Sequence, residues 1–181
     1  MEEYWDLYDR DRRPLGCVHP RGIPLPEGTY HMVVHLCLFN EKGEMLIQRR
    51  VDDKDTFPGA WDISLGGSAL AGEDSRSAVM RECREELGFV PALEAARPYL
   101  TVHFSEGFDD VYIVECKESE LSFHLQPEEV AEIAWADEEA VLVMIAAGTF
   151  IPYHPAYVSL LFSYHRFRGN FSLSPTAPPR V

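Results

Sequence analysis

The sequence predicts an α/β fold in which a mixed β-sheet carries helices packed against it. Three observations point there. Runs of β-branched and apolar residues fall on both sides of one strongly periodic helix. Helical patterning returns twice near the C-terminal end. A chain of 181 residues with 46% hydrophobic composition is large enough to bury a real core in one domain.

The elements follow in order. The first 28 residues are polar and carry Pro14, Pro20, Pro24 and Pro26, which predicts an extended or hairpin-like lead-in. Tyr30 to Phe39 reads as a buried strand, Asn40-Glu41-Lys42-Gly43 supplies turn chemistry, and Met45 to Arg49 returns as a second strand of a hairpin. Val51 to Gly67 reads as a long loop carrying Phe57-Pro58-Gly59-Ala60-Trp61. Asp74 to Leu87 is the clearest helix, with Asp74 as N-cap and Gly88 just past its end. Strands are predicted at Tyr99 to Phe104, Val111 to Glu115 and Glu129 to Trp135, and helices at Asp137 to Ala147 and Pro155 to Phe167. The tail from Asn170, with Pro175, Pro178 and Pro179, is expected to fray. The organisation expected is a lead-in at 1–28, a domain at 29–169 that includes the last helix, and a flexible tail at 170–181.

Composition narrows the function. Thirty acidic residues against 16 basic ones give a formal charge of −14, which disfavours binding to a nucleic-acid polymer. A small anionic substrate would need local cations to dock. No stretch approaches the roughly 20 apolar residues that span a bilayer, and Met1-Glu2-Glu3-Tyr4-Trp5-Asp6 is unlike a signal peptide. A cytoplasmic protein with no membrane partner is expected. Cys17, Cys37, Cys83 and Cys116 have neither metal-ligand nor redox spacing, and Cys37 and Cys83 read as small buried hydrophobes.

The chemistry concentrates on the Asp74 to Leu87 helix. Val79, Met80, Cys83 and Leu87 fall on one arc and are expected to face the core. Glu82, Glu85 and Glu86 share the neighbouring face, where like charges one turn apart cost a few tenths of a kcal/mol per pair. A divalent cation offsets that cost, and hard carboxylate oxygens suit Mg²⁺ or Mn²⁺. Ala78, one turn earlier, would leave room for metal-bound water.

The surrounding residues make the pattern specific. Gly67-Ser68-Ala69-Leu70-Ala71-Gly72-Glu73, then Arg81-Glu82-Cys83-Arg84-Glu85-Glu86-Leu87-Gly88-Phe89, resembles the Nudix box. All its fixed positions match: Gly67, Glu73, Arg81, Glu82, Glu85, Glu86 and Gly88. Chance agreement in a chain of this length is on the order of 10⁻⁶. Cys83 stands where an aliphatic residue is usual, a conservative change in packing. The resemblance extends over about Thr29 to Gly148, taking in the Phe-Pro-Gly-x-Trp loop and the later Glu128 to Glu132 run.

The resemblance implies a Nudix-type α/β/α sandwich and hydrolysis of a diphosphate linkage, in a nucleoside diphosphate derivative or similar organic diphosphate. It implies Glu82, Glu85 and Glu86 as metal ligands, with Glu85 and Glu86 also in catalysis. Glu73 and Arg81 would fix the loop and orient the carboxylates, while Gly67 and Gly88 serve as backbone positions. The general base stays open between Glu85 or Glu86 and the later Glu128, Glu129 and Glu132. Arg49 and Arg50 are candidates for holding a phosphate, and Phe57, Trp61, Phe108 and Tyr112 for covering a base or apolar group. Dimers are frequent in the family, so a homodimer is the assembly the resemblance allows.

Two alternatives stand beside this reading. The layout also resembles isopentenyl diphosphate isomerase, with His19 and His31 falling where that enzyme's upstream histidines would be. That enzyme needs a cysteine just before the box glycine and a histidine just after it; here Gly66 and Ser68 stand there. The other alternative is a non-catalytic nucleotide-binding module, against which the complete set of box carboxylates argues.

Overall fold

The computed structural model describes residues 2–91, 93 and 96–167. The expected tail at 170–181 therefore lies outside the described residues. The lead-in is a hairpin: β1 (Tyr4–Tyr8) and β2 (Pro14–Pro20) pair antiparallel as a sheet of their own. The main sheet has seven strands. They are β3 (His31–Phe39), β4 (Met45–Arg50), β5 (Trp61–Ile63), β6 (Leu65–Ser68), β7 (Leu100–Phe104), β8 (Gly107–Glu115) and β9 (Val130–Ala136). Their path runs β5-β4-β3-β8-β7, with β6 also on β3 and β9 on β4. The β3–β8 pair is parallel and the others are antiparallel, so the sheet is mixed as expected.

Strand periodicity distributes the core to two layers. On β3, Met32, Val34, Leu36 and Leu38 pack against α1 (Ser75–Glu82) through Ala78, Val79 and Cys83. Cys37 and Phe39 face the other way, onto Val141 of α2 (Glu138–Ala146) and Val158, Leu161 and Phe162 of α3 (Pro155–Phe167). The α/β/α sandwich follows from that alternation.

Three expectations need correction. The loop expected over Val51 to Gly67 contains β5 and the start of β6, short strands held by pairing with β4 and β3, the second of them despite its two glycines. The helix expected to run to Leu87 ends its α-geometry at Glu82 and continues as a π-turn over Cys83–Leu87. Phe108 and Tyr112, offered as stacking platforms, are 1% and 3% exposed and belong to the α1-side core. Among the described residues no helix is long and apolar enough to cross a membrane.

The sheet is parted where the site lies. β3 meets β4 at Phe39 and Met45, but along Val33–Leu36 its neighbour is β6 instead. β3 and β4 thus diverge beyond Phe39, and Ser64, between β5 and β6, bridges them by accepting from Leu38 N–H and donating to Leu46 O.

Candidate active site

The α1 helix begins on a capping box. Asp74 Oδ1 accepts from Ser77 N–H at 2.7 Å, and Ser77 Oγ accepts from Asp74 N–H at 2.9 Å. At its far end Gly88, with φ 70°, closes the π-turn by donating its N–H to Cys83 O. The wider turn rotates Glu86 toward the sheet, where it is 8% exposed, and leaves the Glu85 side chain 51% exposed. The expectation of three carboxylates on one shared face is thus modified: Glu82 and Glu86 point inward and Glu85 stands at the rim. Ala78, expected beside open space, is wholly buried in the core.

Arg81 ties these groups together. Its Nε donates to Glu73 Oε1 at 2.8 Å and its Nη2 to Ser68 O at 3.0 Å, while Nη1 reaches Glu82 Oε1 at 3.0 Å and Glu85 Oε2 at 2.9 Å. Glu73 Oε2 in turn accepts from Leu70 N–H at 2.9 Å, which pins the loop ahead of α1. Glu86 Oε2 accepts from the buried Gln48 Nε2 at 3.2 Å, across the parted sheet. Gly67 matters for close approach: a side-chain carbon there would fall on the carboxylate of Glu82.

Among the described residues no three His, Cys, Asp or Glu side chains converge into a finished ligand set, because Arg81 draws Glu85 outward. The inner pair nonetheless fits a hard cation. Burial pushes Glu82 up to about 7, against the pull of Arg81. Burial and the charge of Glu82 push Glu86 up to about 8. Two carboxylates that resist ionising side by side are what a divalent ion relieves. Gln48 Oε1, buried beside them with no hydrogen-bond partner, adds a free acceptor.

The other sequence candidates fall around this centre. Arg49 pairs with Asp52 at 3.1 Å and with Glu132 at 3.7 Å. Arg50 donates to Thr56 O at 3.1 Å and lies 3.9 Å from Asp62. Phe57 is exposed at a loop position with φ 50°, and Trp61 opens β5 against the α2–α3 core. Glu129 pairs with Lys54, and both charges are felt at Glu86. Glu128 is exposed. His19 is half-buried with its ring 3.2 Å from Ile23 O, and His31 stacks on Trp5 at 4.1 Å, so neither belongs to the carboxylate cluster.

Sequence reasoning passed over Gln48, Asp62, His35 and Asp109. Asp62, 4% exposed, accepts from Tyr153 Oη at 2.8 Å, and burial raises its pKa despite the nearby His35. His35 Nδ1 lies 2.8 Å from Asp109 Oδ1. The available signal was polar residues inside otherwise apolar strands, which is informative because buried polar groups are uncommon.

With this geometry in hand, comparison with known proteins is specific. Residues 29–156 match the family model described as the NUDIX domain. The chain is 46% identical over 154 residues to an uncharacterised Nudix hydrolase of Listeria monocytogenes, covering 84% of this chain and 90% of that one. It is 28% identical over 145 residues to an isopentenyl-diphosphate Δ-isomerase of Salmonella heidelberg, covering 77% and 80%. A crystal structure of a Deinococcus radiodurans protein superposes with a TM-score of 0.70 at 27% identity, covering 88% of this chain and 97% of that one.

Proposed function

The chain belongs to the NUDIX family and is a Nudix hydrolase, and we propose that it hydrolyses the diphosphate linkage of a nucleoside diphosphate derivative or similar small organic diphosphate. Glu82, Glu85 and Glu86 would hold Mg²⁺ or Mn²⁺, hydrolases of this family generally needing a divalent ion. The observation that carries this is the inward Glu82–Glu86 pair, whose charges oppose each other in a buried setting. When bound, the cation neutralises diphosphate oxygens and acidifies the attacking water.

The chain's own residues supply the rest. Arg81 and Glu73 hold the loop so that Glu82 keeps its place over Gly67. Gln48 holds Glu86 by one oxygen. Among the later glutamates we assign the general base to Glu129, whose charge reaches Glu86, rather than to Glu128 or Glu132. Arg49, Arg50 and Phe57 border the loop through which the substrate would enter, with Trp61 at the start of β5. We read the domain as residues 29–169, working in the cytoplasm on small phosphorylated compounds.

The isomerase alternative meets a structural obstacle. At Gly66 the space a side chain would occupy is filled by the ring of His35, so the thiol that chemistry needs has neither residue nor room. A screen of diphosphates with Mg²⁺ and Mn²⁺, read by released phosphate and mononucleotide, tests the proposal. Isopentenyl diphosphate belongs in the panel, with its isomer assayed separately. Metal-dependent release from one class supports hydrolysis. Tight nucleotide binding without turnover would instead favour a binding module.

A further inference from the structure

Consecutive glycines on β6 serve opposite faces of the sheet. A side chain at Gly67 would strike Glu82 on the α1 side, whereas one at Gly66 would strike the imidazole of His35 on the other. Strand alternation requires this, because adjacent residues project to opposite faces. His35 sits directly across from Gly66 in the β3–β6 register. The bare strand therefore lets a carboxylate and an imidazole approach the same two residues from either side.

His35 is also held in a defined orientation. Its Nδ1 is bound to Asp109 of β8, and the two side chains are 16% and 14% exposed. Packing alone does not require such a pair in the middle of a sheet, and placing it there carries a desolvation cost. Among the described residues its Nε2 has no hydrogen-bond partner, and it is not among the buried polar atoms left without one. The ring keeps that partial exposure beside Gly66, which leaves Nε2 a route to solvent. Asp62 on β5 and Glu86 on the π-turn are near enough to add to the field of Asp109 on the ring.

We propose that His35, oriented by Asp109, is a substrate-binding residue that donates a hydrogen bond from Nε2 to a phosphoryl oxygen of the diphosphate. This rests on the diphosphate-hydrolase reading above. The surroundings favour an anion over an apolar or cationic group. With Asp109 accepting the Nδ1 hydrogen bond, the protonated ring carries its second donor at Nε2. Arg49, Arg50 and Lys54 are each already paired with a carboxylate. An imidazole donor supplies the local positive contact that a chain of net charge −14 otherwise lacks for a polyanion.

The test uses the full chain with Mg²⁺ and methylenediphosphonate as a non-hydrolysable probe. The ¹⁵N resonances of His35 are followed during titration, and the dissociation constant is measured for wild type, His35→Gln and Asp109→Asn. The expected result is a displaced His35 Nε2 resonance at saturation. Binding should weaken by about tenfold in His35→Gln, the scale of one charge-assisted hydrogen bond, and weaken also in Asp109→Asn. Mn²⁺ affinity in the absence of probe should stay at the wild-type value in both. A His35 resonance unmoved at saturation overturns the proposal whether or not the variants fold, and so does an unchanged constant in a folded His35→Gln. If the wild type turns over a diphosphate while its His35 stays silent, this inference alone fails. If it neither binds the probe nor turns over any diphosphate, the hydrolase reading fails with it.

Discussion

Single residues at this site are constrained by what they touch across the strand. Gly67 has no side chain because Glu82 occupies the space, and since the end of a flexible glutamate can yield, Gly67→Ala should fold. Its carboxylate would be displaced, however, so Mn²⁺ affinity measured by titration should fall by about 10- to 100-fold, the range for disturbing the surroundings of a metal ligand. Glu86→Gln keeps the shape and a hydrogen-bonding end for Gln48 while removing the charge. Its thermal midpoint should match or exceed wild type, because the buried carboxylate carries a desolvation cost. Its kcat/KM should drop on the order of 100-fold, the loss typical of removing one electrostatic stabiliser. Wild-type turnover in that variant would remove Glu86 from the proposed metal site.

The element that most shaped the site was only partly legible. Asp74, the apolar arc and Gly88 marked the bounds of the helix correctly, because caps and 3.6-residue periodicity are local signals. The π-turn was not marked, since five residues of i→i+5 bonding leave no period of their own in the sequence. Yet that turn decides which glutamates point inward. β5 and β6 were likewise hidden, because a three-residue stretch and one with tandem glycines become strands only through partners distant in sequence. His35 and Asp109 lie on strands that were predicted at least in part, but their meeting depends on the parallel β3–β8 register, which no local pattern encodes. The inward pair gives the helix a testable pH signature. An isolated glutamate titrates near 4.5, whereas folding raises Glu82 to about 7 and Glu86 to about 8. The unfolded chain therefore releases these protons first, and metal-free stability should fall as pH rises from about 4.5 to 8. Added Mg²⁺ should raise the melting temperature most at the upper end of that window, as calorimetry at pH 5.5 to 8.5 (about the same window) would show. A metal-free melting temperature that climbs through it would contradict the assignment.

At the scale of the whole molecule, the N-terminal hairpin is fastened to the domain by a polar clasp. Arg12 pairs through both Nη groups with Asp110, which is 1% exposed and also accepts from Thr101 Oγ1 at 2.6 Å. Removing the arginine would strand a buried carboxylate. Arg12→Ala should cost about 2 kcal/mol in denaturant unfolding, less than a fully enclosed pair because a third of the arginine side chain meets water. A variant indistinguishable from wild type would mean that the hairpin is fastened elsewhere. The clasp lies on the α1 side of β8 through Asp110, one residue from Asp109 on the opposite face, so strand alternation separates anchoring from the rim of the parted sheet. The overall acidity bears on the proposed substrate: with a net charge of −14, a diphosphate would be best received together with a cation. The most direct test is ³¹P NMR of wild-type protein with a panel of nucleoside diphosphate derivatives, with Mg²⁺ and then with excess chelator. Conversion of a diphosphate to monophosphate products that stops on chelation, and that a Glu82→Gln, Glu86→Gln double variant does not perform, is the predicted result. Turnover that persists through chelation, or in the double variant, would contradict a metal-dependent hydrolase centred on this pair.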